Sequence, residues 1–229
     1  MLGHMKYPGG KGISYHKFIN LMPPHEVYIE SHLGGGSIIR KKRAAKRNIG
    51  IEIDPKVVAK WNESGAVDFE LIQGDALAYL SRFPFAGNEL IYCDPPYVRE
   101  TRRRRRKIYT YEYTLEQHID FLDLIKAFPC RVMISGYHSE LYEKALSDWN
   151  VHTFQTNIRK KIATEWIWMN YETPIELHDY RYLGDNYRER YRIKKKVKSW
   201  TSRLASMPIL EQQALMHALQ ILDGETPPC

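Results

Sequence analysis

Short apolar runs alternate with amphipathic segments through most of the chain. The runs are rich in aliphatic and aromatic side chains and mostly end in polar or turn residues. They are too short for helices, so the pattern predicts buried strands. The first five predicted strands are residues 27–30, 48–53, 69–73, 90–93 and 131–135.

Segments with helical periodicity separate these strands. Alternation of strands and helices predicts an α/β fold with a mostly parallel sheet that is covered on both faces. Residues 150–156 and 163–171 read as two further strands around a short basic turn, which predicts a hairpin closing the sheet. The predicted helices are residues 37–46, 55–63, 76–82 and 114–127.

The composition changes from residue 181 onward. Cations greatly outnumber acids in residues 181–204, and a terminal amphipathic helix follows. We therefore expect a main domain in residues 1–175 and a basic helical extension in residues 176–229. The basic segment reads either as a helix on DNA or as a solvated helix whose apolar side packs on the core.

Charge and cysteine content narrow the class of protein. Of 229 residues 43% are apolar, and 34 Lys+Arg against 27 Asp+Glu give a formal charge of +7, which suits a polyanionic partner. Cys93, Cys130 and Cys229 show no disulfide or zinc spacing, so we expect a reduced cytoplasmic protein. No apolar run reaches the ~20 residues of a membrane span, and no signal peptide is evident.

A glycine turn follows the first predicted strand in "VYIESHLGGGSII". Glu30 ends the strand, and Gly34 to Gly36 are expected to open a helix whose N–H groups face a ligand. A dinucleotide fingerprint needs a glycine where Ile39 stands. A phosphate-binding loop at residues 9–11 is equally disfavoured, because it lacks the preceding strand and the required Ser or Thr.

Acids stand at the ends of the next two strands. Asp54 precedes Pro55, so it fits either the two hydroxyls of a ribose or the N-cap of a helix. Asp75 ends the third strand, and taken alone it reads as a helix cap. With the glycine turn, these strand ends outline a pocket of nucleoside shape.

The fourth strand ends in Asp94-Pro95-Pro96-Tyr97. An exocyclic base amine is a poor nucleophile because its lone pair is delocalised into the ring. The Asp94 carboxylate and the Pro95 carbonyl can hold both N–H bonds and direct the lone pair at a methyl donor, and the diproline limits the orientation of that carbonyl. Tyr97 can stack on the base. The alternative is that Asp94-Pro95-Pro96-Tyr97 is a structural turn at the end of the strand without a role in chemistry.

The motifs "DPPY", "YIESHLGGGS" and "KYPGGKG" resemble, in the expected order along residues 5–171, the Dam-type family of DNA adenine methyltransferases, and small phage and prophage members in particular. The resemblance implies a Rossmann-like methyltransferase fold with a seven-stranded sheet and S-adenosylmethionine as cofactor. It also implies flipping of a DNA adenine and methylation of its 6-amino group without a metal.

Family roles carry over by position. Tyr7 and Lys11 match residues that contact the methionine part of the cofactor, and the lysine can pair with its carboxylate. The resemblance also implies that Glu30, Gly34 and Gly36 belong to the glycine loop. It implies that Asp54 binds the ribose and that Asp75 binds the adenine of the cofactor. Asp94–Tyr97 match the catalytic motif, in which Asp94 also contacts the cofactor.

The sequence departs from the family in two places. Ser31 and His32 replace a usual Pro-Phe, which removes an aromatic contact near the cofactor. Only 18 residues separate Asp75 from Asp94, so the target-recognition insert of longer members is missing. Recognition must come from elsewhere or be minimal.

A basic segment follows the catalytic motif and is expected at the rim of the active site. Residues 98–113 mix cations with tyrosines, a pattern suited to phosphates and unstacked bases. The alternative is a solvated loop. The predicted DNA-contacting residues are Arg102, Arg103, Arg104, Arg105, Arg106 and Lys107.

Other functions stay open. The acceptor could be a cytosine amine, an RNA adenine or a protein glutamine, although family members acting on cytosine more often carry Ser at the Asp94 position and those acting on glutamine carry Asn. The alternative from a different functional class is a non-catalytic DNA-binding protein on the same fold. The sequence indicates no obligate protein partner and discloses neither the target site nor a restriction partner.

Overall fold

The computed structural model describes residues 9–65, 67–101, 109–158 and 161–222. Its strands are β1 (Val27–Glu30), β2 (Arg47–Glu52), β3 (Glu70–Gln73), β4 (Glu89–Cys93), β5 (Arg131–Gly136), β6 (Asn150–Ile158) and β7 (Lys161–Met169). Its helices are α1 (Tyr15–Ile19), α2 (Pro55–Ser64), α3 (Ala76–Leu80), α4 (Leu115–Lys126), α5 (Glu140–Ala145), α6 (Tyr187–Ala205) and α7 (Ile209–Leu222).

The strands form one seven-stranded sheet in the order β3-β2-β1-β4-β5-β7-β6. Strands β1 to β5 pair in parallel, whereas β7 runs antiparallel to both β5 and β6. This is the Rossmann-like methyltransferase fold, and it confirms the predicted mostly parallel sheet with a terminal hairpin. The strand order reverses between β1 and β4, which is where a ligand crevice opens beyond the carboxyl ends of the strands.

The middle of the sheet is buried because helices cover it. All five residues of β4 are buried, and Ile91 packs in one apolar cluster with Phe121 and Ile125 of α4. Helix α4 begins at a capping box between Thr114 and Gln117. The sheet therefore fixes the ends of β1 and β4, which carry the candidate site.

The helix predicted over residues 37–46 is wrong. The segment forms turns. In a helix the Arg43 N–H would donate to the Ile39 carbonyl, but it donates instead to Asp179 Oδ2 at 2.8 Å. Glu30 Oε2 accepts from the Ile39 N–H at 2.9 Å. Gly34 to Gly36 therefore open a turn rather than a helix.

The chain divides into two compact units, one ending at Asp179 and one beginning at Tyr180. The second unit contains α6 and α7. The expected boundary between residues 175 and 176 stays a prediction. Within the described residues, the helices lack the combination of length and apolar character that crossing a bilayer requires.

Candidate active site

A cavity opens beyond the carboxyl ends of β1, β2 and β4. The turn after β1, the acids after β2 and β3, and Asp94 after β4 all line it. Its lining brings together most of the predicted catalytic and cofactor-binding residues, namely Lys11, Glu30, Gly34, Gly36, Asp54, Asp75, Asp94 and Pro96.

Two of the predicted residues lie elsewhere, and the others fall outside the described part of the chain. Pro95 and Tyr97 are not part of the described lining of the cavity. The Tyr97 hydroxyl instead accepts a hydrogen bond from the Lys11 ammonium. Tyr7 and the cation run Arg102–Lys107 lie outside the described residues, so their roles stay predictions.

The glycine turn is held against α2. Gly34 and Gly36 have φ of +46° and +54°, a backbone conformation that favours glycine. A Cβ on Gly36 would come within 2.6 Å of the Trp61 ring, whose indole N–H donates to the Gly34 carbonyl at 2.9 Å. The turn therefore needs glycine at position 36 for packing as well as for conformation.

Glu52, the last residue of β2, is a site residue that the sequence patterns did not single out. Its Oε2 accepts from the Gly34 N–H at 2.8 Å, and its Oε1 accepts from the Asp54 N–H at 2.9 Å. Burial raises the pKa of this carboxyl above its ordinary value. Glu52 thus ties the glycine turn to the end of β2, and it also lines the cavity.

Glu30 anchors the turn from below. The carboxyl is 3% exposed and accepts hydrogen bonds from the Ile39 N–H and the Tyr28 hydroxyl through Oε2. Burial raises its pKa to about 8. Since that value exceeds neutrality, Glu30 is mostly protonated at pH 7 and acts on the cavity by holding the backbone.

Asp54 and Asp75 are both helix N-caps. Oδ1 of Asp54 accepts from the Lys56 N–H and Oδ1 of Asp75 from the Ala78 N–H, each at 2.9 Å. Among the described residues no donor reaches either Oδ2. The capping interpretation is therefore observed, and one oxygen of each acid stays available to a ligand.

Two donors orient the carboxylate of Asp94. The Lys11 ammonium and the Ser135 hydroxyl both donate to Oδ1, each at 2.8 Å. Within the described part of the chain, Oδ2 accepts no hydrogen bond. Ser135 belongs to β5, so the sheet itself sets the angle of this carboxylate and leaves Oδ2 free to accept from a substrate.

Glu165 on β7 is a second acid that the sequence patterns did not single out. It is 4% exposed, lies 3.2 Å from the Lys11 ammonium, and accepts a hydrogen bond from the Tyr97 hydroxyl. Burial raises the pKa of Glu165, an effect that Lys11 opposes. Burial alone would lower the pKa of Lys11, but Asp94 and Glu165 raise it above its ordinary value.

Ser31 and His32, which replace the usual Pro-Phe of the family, form a hydrogen-bonded chain with Tyr113. His32 Nδ1 lies 2.8 Å from the Ser31 hydroxyl, and Nε2 lies 2.9 Å from the Tyr113 hydroxyl. The imidazole also packs edge-on against Tyr113 and Phe121. Burial lowers the pKa of His32 to about 3, so the ring is neutral. His32 and Tyr113 supply aromatic surface to the cavity at this position.

The sequence matches no family model, and no curated protein matches it significantly. Several solved methyltransferases are similar in structure. A putative RNA methyltransferase from Pyrococcus horikoshii is 16% identical, with a TM-score of 0.44, over 72% of this chain and 86% of its own. A putative methyltransferase from Streptococcus mutans in complex with SAH is 10% identical, with a TM-score of 0.44, over 67% and 93%.

A third similar structure is magnesium protoporphyrin IX methyltransferase from Synechocystis with bound SAM. It is 17% identical, with a TM-score of 0.43, over 69% of this chain and 74% of its own. Two of the three descriptions name a substrate, RNA in one and magnesium protoporphyrin IX in the other, so a substrate for this chain has to be argued from the site itself.

Proposed function

We propose that the protein is an S-adenosylmethionine-dependent methyltransferase that modifies the 6-amino group of adenine in DNA. One observation carries the proposal. The carboxylate of Asp94 is fixed through Oδ1 at the rim of the same cavity that the glycine turn and the acids Asp54 and Asp75 line.

The cavity fits the cofactor in its donor set. Asp54 and the neighbouring Glu52 can accept the ribose hydroxyls, and Asp75 can accept the adenine amine. S-adenosylmethionine supplies a methyl group on a positively charged sulfur when it is bound.

Asp94 and Pro95 prepare the acceptor. Oδ2 of Asp94 takes one N–H of the flipped adenine amine and the Pro95 carbonyl takes the other, so the lone pair points away from both toward the methyl carbon. Positioning of this kind lowers the barrier because orientation is fixed before the reaction. As a new N–C bond forms, the S–C bond breaks and the amine becomes cationic. It then loses a proton, so no strong base is required beforehand.

The charge around Asp94 suits this step. Lys11 lies between Asp94 and Glu165, and with both acids ionised the three groups carry a formal charge of −1. Positive charge arrives on the amine beside this cluster during transfer, so the cluster favours the transition state over the ground state. Glu165 is therefore a positioning residue that acts through Lys11 and the Tyr97 hydroxyl.

DNA as substrate rests on the acceptor chemistry and on the basic segment after the catalytic motif. Tyr97 offers an aromatic ring to the flipped base, and stacking of ~1–3 kcal/mol offsets part of the cost of extrusion. Arg102–Lys107 would bind the backbone phosphates. The proposal places the enzyme in the cytoplasm of a bacterial or phage-infected cell and needs no protein partner.

The test is transfer of labelled methyl groups to DNA by the wild type and by Asp94→Ala. We expect the variant to lose transfer and to keep S-adenosylmethionine binding in calorimetric titration. Nucleoside digestion of the product identifies the acceptor, and methylcytosine or methylated RNA would replace the DNA adenine assignment. Full activity in Asp94→Ala would refute the catalytic role, and a wild type that binds no cofactor would leave only a DNA-binding protein.

A further inference from the structure

Helix α6 holds all the net charge of the chain. It contains a single acid, Glu189, which lies 3.6 Å from Arg192. Its formal charge of +7 equals that of the whole protein, so the rest of the chain is formally neutral. The cations of the helix are Arg188, Arg190, Arg192, Lys194, Lys195, Lys196, Lys198 and Arg203.

Some of these cations share a face of the helix that lies away from its aliphatic residues. At ~100° per residue, one exposed stripe consists of positions 188, 192, 195, 199 and 203, occupied by two arginines, a lysine, a serine and a third arginine. A second stripe on another face consists of Ile193, Val197, Trp200 and Leu204. The cationic stripe is thus continuous along the helix and faces solvent.

We infer that this cationic stripe binds the phosphates of duplex DNA independently of sequence, as a contact additional to the active site. The stripe is ~22 Å long, and each strand of duplex DNA presents one phosphate per ~3.4 Å of the axis, so the stripe can run beside about six phosphates of one strand. The inference rests on DNA being the substrate of the proposed function.

The side chains of α6 are suited to contacts with phosphates. Arg188, Lys195 and Arg203 are charged donors, and the hydroxyl of Ser199 between them can donate to a phosphate oxygen. The helix contains no Asn or Gln, the usual readers of adenine edges. Such a contact raises the local concentration of the enzyme on DNA and leaves recognition of the base to the active site.

The experiment compares two triple variants of the full chain on a DNA duplex. Arg188→Gln, Lys195→Gln and Arg203→Gln remove three charges from the stripe. Lys60→Gln, Arg82→Gln and Lys144→Gln remove three exposed charges from the first unit. Glutamine is a good helix former, so both variants should fold, which circular dichroism checks.

We expect the stripe variant to bind DNA more weakly and to flatten the slope of log K against log salt by about 2.7, or ~0.9 for each phosphate that the helix no longer neutralises. The control variant should keep the wild-type slope. Methyl transfer at saturating DNA should be equal in all three proteins. Equal slopes in the stripe and control variants would overturn the inference.

Other outcomes separate the inference from the proposed function. A wild type that binds DNA through the stripe but transfers no methyl group leaves the inference standing and removes the proposed function. Vesicles containing phosphatidylserine test the alternative that the helix lies on an acidic membrane. Stripe-dependent binding to vesicles but not to duplex DNA would overturn the inference.

Discussion

The ammonium of Lys11 lies 2.8 Å from Oδ1 of Asp94 and 3.2 Å from Glu165. Family resemblance assigns this lysine to the carboxylate of the cofactor, whereas the structure places it between two acids of the protein. The two assignments predict different kinetic consequences when the charge is removed.

Replacing Lys11 with Met should lower the rate of methyl transfer by about a hundredfold or more while cofactor affinity changes only a few-fold. The reason is that two buried carboxylates lose their shared cation, which disturbs the orientation of Asp94. Single-turnover transfer measures the rate, and calorimetric titration with S-adenosylmethionine measures the affinity.

Lys60→Met is the control, because it removes an exposed lysine remote from the catalytic motif. It should leave both quantities at the wild-type level. Should Lys11→Met instead weaken cofactor binding a hundredfold and leave the rate at saturation intact, the lysine serves the cofactor carboxylate as the resemblance implies.

The acid limb of the pH–rate profile should depend on Glu165. Its pKa is raised by burial, so it gains a proton as the pH falls through a range above that of an ordinary glutamate. Activity that needs the carboxylate is then lost toward acid. In Glu165→Gln we expect a lower maximal rate and an acid limb shifted to lower pH.

The groups that face Glu165 are Lys11, Asp94 and the hydroxyl of Tyr97, with Tyr137 nearby. Tyr97→Phe is the matched variant, since it removes the hydrogen bond to Glu165 and keeps the ring for stacking. It should keep an acid limb but move it to higher pH, the opposite direction from Glu165→Gln, because the hydrogen bond from the Tyr97 hydroxyl lowers the pKa of Glu165. If the acid limb moved to lower pH equally in Glu165→Gln and Tyr97→Phe, Glu165 would act through Tyr97 alone.

The strand ends could be predicted from the sequence, but the contacts behind Asp94 could not. Asp94 follows an apolar run, so its place at the sheet edge follows from local pattern. Ser135 and Glu165 reach it only because β5 and β7 pair in a given register. One signal was present, since Glu165 shares a strand face with the buried Ile167 and Met169.

The same physics explains the wrong helix over residues 37–46. Asp179 takes the Arg43 N–H from outside the segment, where a helix would have used it internally. A single-sequence pattern does not contain this tertiary partner. Short helices such as α1 and α5 were missed for a related reason, because they are too brief to show periodicity and depend on packing.

Stability should fall with rising pH because of Glu30. Its pKa is about 8 in the folded protein against an ordinary value of 4.5, so folding favours the protonated form. The contribution is fully present below pH 4.5 and is lost as the pH rises toward 8. Glu30→Gln keeps a hydrogen-bond acceptor and removes the titration.

Urea unfolding at pH 5, 7 and 9 tests this expectation. The difference in unfolding free energy between Glu30→Gln and the wild type should move in favour of the variant as the pH rises. Glu63→Gln controls for the loss of one negative charge at an exposed position of α2. A difference that does not change with pH would mean that Glu30 is ionised throughout.

Two glycines with positive φ, Gly36 in the glycine turn and Gly65 at the end of α2, allow the effect of backbone strain to be measured apart from the effect of packing. Gly65, the C-cap of α2, has φ of +61°, and a Cβ there meets no atom within 4 Å. Gly36 has φ of +54°, and a Cβ there meets the Trp61 ring at 2.6 Å. Gly65→Ala therefore introduces strain alone, whereas Gly36→Ala introduces strain and a clash.

We expect Gly65→Ala to cost about 1 kcal/mol in unfolding free energy and to leave S-adenosylmethionine affinity unchanged. Gly36→Ala should cost a further ~1–3 kcal/mol, the usual range for overpacking. It should also weaken cofactor binding at least tenfold, because the displaced Trp61 no longer donates its hydrogen bond to the Gly34 carbonyl. Urea unfolding and calorimetric titration measure the two effects. Equal losses of stability and unchanged affinity in both variants would show that the Trp61 contact does not shape the cofactor turn.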